Sequence, residues 1–130
     1  MTNGETIKGV YDAFSTGDMP GVLGAFADNI LWKEAEGFMY GGSYVGHENV
    51  MNGVFLRLAT EWEGFSAIPM KIVDGGDGNV ISTGIYSGKF LQTGKSISVP
   101  FAHEWELIDG QVVKFIQHTD TLVIAQDLGL

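Results

Sequence analysis

Hydrophobic residues in the first half of the chain recur at intervals of three and four, the spacing of one face of an α-helix. Thr2 and Glu5 have the spacing of a capping box, and Asp18 followed by Pro20 is typical of a second helix start. Three amphipathic helices are therefore predicted, the third about four turns long. Their apolar positions are Ile7, Val10, Tyr11 and Phe14 in the first, Val22, Leu23 and Phe26 in the second, and Val50, Val54, Phe55, Leu58 and Trp62 in the third.

After Gly64 the pattern changes to runs rich in Ile, Val, Thr, Phe and Tyr, which is typical of strands. Three turn signals separate these runs: Asp74 to Asn79, Gln92 to Lys95, and Asp109-Gly110. They predict a meander of four antiparallel strands. The other segments are predicted as a short strand at Ile30 to Trp32 that runs into Glu34, a packed loop over residues 36–46, and a short helix over Thr121 to Leu130. Helices followed by a meander predict an α+β fold with helices on one face of the sheet.

Composition places the chain among globular domains. Its 130 residues fit one domain, residues 1–130, and 45% of them are hydrophobic against 18% charged. The absence of Cys excludes disulfides, thiolate metal sites and cysteine nucleophiles. The net charge of -9 argues against nucleic acid or an anionic membrane as a partner. The N-terminal segment lacks the pattern of a signal peptide, so we expect a cytoplasmic location.

The strand before the last turn carries a histidine on its apolar face. Strict alternation puts His103 on the same face as Phe101 and Trp105, whereas Glu104 and Glu106 point the other way. A histidine at such a position is either a hydrogen-bonded core residue or part of a site.

The final strand presents two further candidates. Strict alternation places Val113, Phe115, Gln117 and Thr119 on one face and Lys114, His118 and Asp120 on the other. This favours Gln117 as the inward polar group. A bulge near His118 would instead bring Asp120 inward. Asp120 is alternatively the N-cap of the final helix.

Glu34 is a further candidate, because it is a carboxylate at the end of a short apolar strand. At the mouth of an apolar cavity such a carboxylate would have a raised pKa and could shuttle protons. The alternative is an exposed residue at the end of the strand. Aromatic residues could supply the cavity walls. The candidate pocket-lining residues are Tyr11, Phe14, Trp32, Tyr44, Phe55, Trp62, Tyr86, Phe101, Trp105 and His118.

Other chemistries find no support in the motifs. No pair among the histidines and carboxylates has a recognised metal-ligand spacing, so no metal is expected. Nucleophile-elbow, P-loop and dinucleotide motifs are missing as well.

Five segments resemble one superfamily. They are YDAFSTGD (Tyr11 to Asp18), FADNILWKEAEG (Phe26 to Gly37), YVGHENVMNGVF (Tyr44 to Phe55), EWEGF (Glu61 to Phe65) and FAHEWELIDGQVVKFIQHTDT (Phe101 to Thr121). Over nearly its whole length the chain resembles the SnoaL-like and ketosteroid-isomerase-like branch of the NTF2-like superfamily. The resemblance implies a cone-shaped barrel in which three helices pack on a strongly curved, mixed but mostly antiparallel sheet. It also implies a pocket for a small hydrophobic ligand and a homodimer formed through the sheet.

The resemblance further implies catalysis without cofactor or metal, by a carboxylate in an apolar cavity assisted by hydrogen-bond donors. The isomerase base falls on Glu34, and the neutral acid donor falls at or next to His103. The tyrosine donor falls on Val10, which has no hydroxyl group, although Tyr11 is adjacent. In SnoaL-like cyclases an acid on a late strand transfers the proton, and Asp120 or Gln117 occupies that region.

Two functions are compatible with these features. The first is an isomerase or cyclase with Glu34 or Asp120 as general base, His103 as donor or proton shuttle, and Gln117 as an orienting group. The second is a non-catalytic module for ligand binding or dimeric assembly. Convergence of these polar groups on one cavity would favour the enzyme.

Overall fold

Six strands form one mixed sheet, on which the helices pack. The computed structural model describes all 130 residues, Met1 to Leu130. In chain order the elements are α1 (Asn3–Ser15), α2 (Met19–Gly24), β1 (Phe26–Glu34), β2 (Gly42–Val45), α3 (His47–Val50), a π-helical turn (Met51–Phe55), α4 (Leu56–Glu61), β3 (Trp62–Gly76), β4 (Asn79–Phe90), β5 (Lys95–Ile108), β6 (Gln111–Thr119) and α5 (Thr121–Leu128). The strand order is β2-β1-β6-β5-β4-β3, and only β1 and β6 are parallel neighbours. The prediction of an α+β fold with a mostly antiparallel sheet is confirmed.

The first two helices begin where the capping residues predicted. The Thr2 hydroxyl accepts from the Glu5 amide at 3.1 Å, and the Glu5 carboxylate accepts from the Thr2 amide at 3.0 Å. Asp18 caps α2 by accepting from the Gly21 amide at 3.0 Å. The prediction for Phe26 is wrong, because α2 ends at Gly24 and Phe26 begins β1. Its side chain is buried all the same, since it points into the core from the sheet.

The segment between β1 and β3 also differs from the prediction. The expected loop over residues 36–46 contains β2, which pairs antiparallel with the end of β1. The third helix begins at His47 and changes to π-helical geometry over Met51–Phe55 before α4. It ends at Glu61, so that Trp62 begins β3 rather than closing the helix.

The four-strand meander follows the three predicted turns. On β5 the predicted inward residues are all buried: Ile97, Val99, Phe101, His103, Trp105 and Leu107. On β6 the prediction of strict alternation fails at one position, because Leu107 pairs with Val112 and Glu106 with Lys114. Val113 is therefore the extra residue of a β-bulge, and Val112 is buried in its place. Since the bulge lies before Phe115 rather than near His118, Gln117 stays inward and His118 outward.

Two glycines of β4 lie opposite irregularities in β3. The pairing shifts between Glu63 and Ser66, opposite Gly88, and between Pro69 and Lys71, opposite Gly84. A Cβ atom on Gly84 would lie 2.1 Å from the carbonyl oxygen of Ile68 and 2.6 Å from the Phe101 ring. A larger residue would push β3 away, so the close approach of these strands depends on glycine.

The inward faces of the sheet and the helices share one core of 27 buried hydrophobic residues. Helix α1 packs on β3 and β4, α3 on β1 and β2, and α4 on β3. None of the helices is both long and apolar enough to cross a membrane.

We predict that Gly84→Ala lowers the free energy of unfolding by roughly 1–3 kcal/mol or more, because the added methyl group meets a backbone carbonyl that cannot move alone. The matched control is Gly9→Ala in α1, where an added Cβ has no atom within 4 Å. That variant should gain roughly 0.5–1 kcal/mol from the helix preference of alanine. Urea unfolding of both variants measures the effect. A Gly84→Ala protein as stable as the wild type would show that β3 and β4 do not need this close contact.

Candidate active site

A small cavity lies between the helices and the inward face of the sheet. It is lined by 17 residues, of which 14 are hydrophobic. The polar groups among them include Glu34, His103, Gln117, Tyr11 and Tyr86. The space open to the centres of water molecules is ≈ 50 Å³. One water needs roughly 10–15 Å³ by this measure, so the cavity has room for a few waters.

Glu34 reaches the cavity because β1 alternates. Ile30, Trp32 and Glu34 are buried on one face of that strand, and Glu34 is only 6% exposed. Its Oε1 accepts a hydrogen bond from Trp32 Nε1 at 3.0 Å, whereas Oε2 is buried with no hydrogen-bond partner. Burial disfavours the charged form and raises the pKa of Glu34 to about 7, against the smaller opposing effect of the Trp32 hydrogen bond. Glu34 is therefore a carboxyl group with a free oxygen that titrates near neutral pH.

His103 sits between two tyrosines. Its Nδ1 lies 2.5 Å from Tyr11 Oη, and its Nε2 lies 2.5 Å from Tyr86 Oη. Burial lowers the pKa of His103 well below its usual value, so the ring is neutral at pH 7. Burial also raises the pKa of both tyrosines, which keeps their hydroxyl groups protonated. His103 is therefore a hydrogen-bonded core residue that also lines the cavity.

The hydrogen bonds extend from this triplet in both directions. Tyr11 Oη lies 2.6 Å from Ser82 Oγ, and either hydroxyl group can be the donor. Ser82 Oγ accepts a second hydrogen bond, from Trp105 Nε1 at 2.9 Å. On the other side Gln117 Nε2 donates to Tyr86 Oη at 3.0 Å. Gln117 Oε1 in turn accepts from the backbone amide of Ala35 at 3.0 Å. We call the six side chains the core network: Trp105, Ser82, Tyr11, His103, Tyr86 and Gln117.

Ser82 is the member that sequence reasoning missed. It is fully buried on the inward face of β4, two residues from Val80 and four from Tyr86. The alternation of β4 carried this signal, because a serine in register with inward Val80 and Tyr86 must find a partner in the core.

The structure brings nine of the fourteen candidate residues to the cavity and leaves five outside. Those at the cavity are Glu34, His103, Gln117, Tyr11, Phe14, Trp32, Phe55, Tyr86 and Trp105. Hydrophobic lining residues that were not among the candidates are Val10, Val22, Phe38, Val54, Leu58, Phe65, Ala67 and Phe115.

Three of the five residues outside the cavity are buried or half-buried aromatics with other contacts. Phe101 stacks on His103, with ring centroids 4.1 Å apart. Trp62 donates to Tyr40 Oη at 3.0 Å, and Tyr44 Oη donates to the Tyr40 carbonyl at 2.7 Å. Trp62 and Tyr44 thus hold Tyr40, in the segment between β1 and β2, rather than lining the cavity.

The other two lie on the outside of the sheet and at its end. His118 is exposed and pairs with Glu104 across the outer face at 2.5 Å. Asp120 follows the last residue of β6 and caps α5 by accepting from the Val123 amide at 3.0 Å. Asp120 is therefore the N-cap of α5, and it does not point inward. No group of three or more His, Cys, Asp or Glu side chains lies close enough to hold a metal ion.

Comparison with known proteins supports the same fold. A family model described as SnoaL-like domain matches residues 7–115. An NTF2-like protein of Burkholderia thailandensis E264 is 34% identical, with a TM-score of 0.93 over 98% of both chains. An NTF2-like protein of unknown function from Burkholderia pseudomallei K96243 is 26% identical, with a TM-score of 0.89 over 100% of both chains. TerC, co-crystallised with polyporic acid, shares the fold at 23% identity, with a TM-score of 0.87 over 98% of both chains. No curated protein matches the chain.

We predict that Glu34 makes the protein less stable as the pH rises. Its folded pKa of about 7 lies above the ordinary 4.5, so the native state holds this proton more tightly than the unfolded state does. The resulting stability is fully present below pH 4.5 and is lost as the pH rises through 7. The Glu34→Gln variant lacks this titration. From about pH 5 to about pH 8, the free energy of unfolding of the wild type should fall by roughly 2–3 kcal/mol relative to that of the variant.

Urea unfolding of both proteins across this pH range measures the difference. The opposite dependence expected from His103, whose pKa is lowered, is common to both proteins and cancels. A difference that stays constant with pH would mean that Glu34 ionises at its ordinary pKa.

Proposed function

This chain belongs to the SnoaL-like domain family and has the NTF2-like fold, and from this premise we propose that it is a cofactor-independent enzyme. In this proposal it moves a proton next to the carbonyl group of a small, hydrophobic metabolite. The observation that carries the proposal is the buried Glu34 carboxyl group, whose Oε2 has no partner, on a cavity that also exposes neutral hydrogen-bond donors.

The chemistry follows from the surroundings of Glu34. With a pKa of about 7, the carboxyl group is present in both protonation states at neutral pH and can both accept and return a proton. As general base it removes a proton from the carbon next to the carbonyl, and the electron pair moves to the carbonyl oxygen to form an enolate. A neutral donor of the core network stabilises that oxygen. If the enolate is conjugated with a C=C bond, return of the proton from Glu34 to the far carbon of that bond gives an isomerase. If the enolate attacks a second carbonyl, return of the proton to the alkoxide so formed gives a cyclase.

The geometry favours Glu34 over Asp120 as the base. Asp120 is occupied as the cap of α5, and it does not line the cavity. The contacts of Gln117 support the orienting role proposed for it, since its amide connects Ala35, the residue after β1, to Tyr86.

The lining and the size of the cavity also limit the polarity and the size of the ligand. Its lining is mostly hydrophobic, which favours an apolar body with few polar atoms. Its room of ≈ 50 Å³ is well below the roughly 300–1,000 Å³ typical of sites for drug-sized ligands. We therefore propose a ligand of few heavy atoms for the closed cavity, with a larger ligand requiring α1 or the α3–α4 segment to move outward.

A homodimer through the sheet remains a proposal that the family resemblance suggests. The outer face of β3 and β4 supports it, because the cross-strand pairs Ile68–Ile85 and Val73–Ile81 place four partly exposed apolar residues there. If the cavity proved inert, a dimeric binding module built on this face would be the second candidate function.

We predict that Glu34→Gln slows proton exchange at the α-carbon of a ketone by roughly 100- to 10,000-fold, because it removes the base but not the cavity. NMR in D₂O over a panel of short-chain and cyclic ketones measures this exchange without knowledge of the natural substrate. The matched control is Asp120→Asn, which removes the other candidate carboxylate while asparagine still caps the helix. It should exchange at the wild-type rate.

Two results would contradict the proposal. Exchange that survives in Glu34→Gln would exclude Glu34 as the base. Absence of exchange in the wild type with every ketone, despite binding, would favour the binding module.

A further inference from the structure

We infer that the hydrogen bonds of the core network run in one direction, which makes Tyr86 the hydroxyl group that donates to a ligand in the cavity. The groups of this network are buried and paired with one another, so each hydrogen has few possible acceptors. This direction rests on the proposed function and deepens it, because it names the donor and the kind of ligand atom that the donor recognises.

The two ends of the network have only one possible direction. The Trp105 indole N–H can only donate, so Ser82 Oγ must accept it at 2.9 Å. The Ala35 backbone N–H can only donate as well, so the group that accepts it at 3.0 Å is the amide oxygen of Gln117. The Gln117 side chain is thereby oriented, and its NH₂ group must donate to Tyr86 Oη.

Between these ends, neutral His103 has one N–H and one free lone pair, which leaves two arrangements. With the hydrogen on Nε2, Ser82 donates to Tyr11, Tyr11 donates to Nδ1, and Nε2–H donates to Tyr86. The proton left without an acceptor is then that of the Tyr86 hydroxyl group. With the hydrogen on Nδ1 each donor and acceptor is exchanged. Tyr86 then donates to Nε2, Nδ1–H donates to Tyr11, and Tyr11 donates to Ser82. The proton left without an acceptor is that of the Ser82 hydroxyl group.

Burial decides between the two arrangements. Ser82 is 0% exposed, does not line the cavity, and has hydrogen bonds only to Tyr11 and Trp105. A leftover proton there would be a buried donor that neither water nor ligand can reach, and such donors are strongly disfavoured. Tyr86 does line the cavity, where a ligand or a water can accept its proton. The arrangement with Nε2–H on His103 is therefore the one that pairs every enclosed group.

This arrangement gives each residue a role. Tyr86 Oη accepts two hydrogen bonds, from His103 and Gln117, which polarise its own O–H toward the cavity. Tyr86 is thus the catalytic donor, and Ser82, Tyr11 and His103 are positioning residues that act through it. The ligand atom at this point is a hydrogen-bond acceptor, such as a carbonyl oxygen, rather than a donor.

The first test is the tautomer of His103 in the protein without ligand. Long-range ¹H–¹⁵N NMR of protein labelled at histidine shows which ring nitrogen carries the hydrogen. The chain has three histidines, and the single variants His47→Gln and His118→Gln identify the other two sets of signals. A hydrogen on Nε2 supports the inference, and a hydrogen on Nδ1 or on both nitrogens overturns it. This result does not depend on any ligand, so it stands whether or not the proposed function survives.

The second test asks whether Tyr86 contacts the ligand. Tyr86→Phe should slow the ketone exchange by roughly 100- to 1,000-fold, the usual effect of removing one donor to an enolate oxygen. Cyclohexanone labelled with ¹³C at its carbonyl provides the direct readout, since hydrogen bonding to Tyr86 lowers its infrared stretching frequency and the variant should lose that shift. The matched control is Tyr40→Phe, which also removes a buried tyrosine hydroxyl group, but one bonded to Glu61 and Trp62 outside the network. A shift that persists in Tyr86→Phe and disappears in a Tyr11→Phe variant would overturn the assignment of Tyr86.

Discussion

Burial of polar side chains among aromatic rings is the constraint on which the site depends. The core network lies within a group of packed rings, with Phe101 stacked on His103 and Trp32 stacked on Phe115 at a centroid distance of 3.6 Å. In such surroundings an unpaired polar group is costly, so each member must be held by its neighbours. Four elements contribute one or more members each: α1, β4, β5 and β6. The network thereby fixes how the first helix sits on the sheet as well as where the polar atoms lie.

Glu34 departs from this rule, and its departure gives the cavity its chemical character. One of its oxygens is paired with Trp32, and the other has no partner although it is buried. The same apolar surroundings raise the pKa of Glu34, lower that of His103 and keep the tyrosines protonated. Near neutral pH the cavity therefore combines one carboxyl group that can gain or lose a proton with neutral groups that form hydrogen bonds but do not ionise. Strained or unpaired groups of this kind concentrate at functional sites, because a structural role alone would select against them.

The sequence located the candidate polar groups by two different signals. A period of two predicted His103 on β5 and Gln117 on β6 to face inward, and both line the cavity. Glu34, which also lines it, was a candidate because it ends a short apolar strand. The bulge at Val113 was not visible, because inserting one residue in a strand changes its pairing without changing its composition. Asp120 had two possible roles for the same reason, since a shift of one residue would have turned it inward. The aromatic residues of one strand could not be distinguished at this level: Phe101 and Trp105 alternate on the same face of β5, yet only Trp105 lines the cavity.

Local sequence patterns were enough to predict the α+β class, the starts of the first two helices, the turns of the meander and the inward face of β5. These depend on contacts between residues close in the chain, such as the capping box of Thr2 and Glu5 and the alternation of β5. Which polar groups come into contact depends instead on how distant elements pack together. Tyr11 and His103 are far apart in sequence, and Ser82 joins them only because β4 pairs with β5 beneath α1. The size of the cavity and the pairing of each buried hydrogen are properties of several elements packed together, which no local pattern of residues specifies.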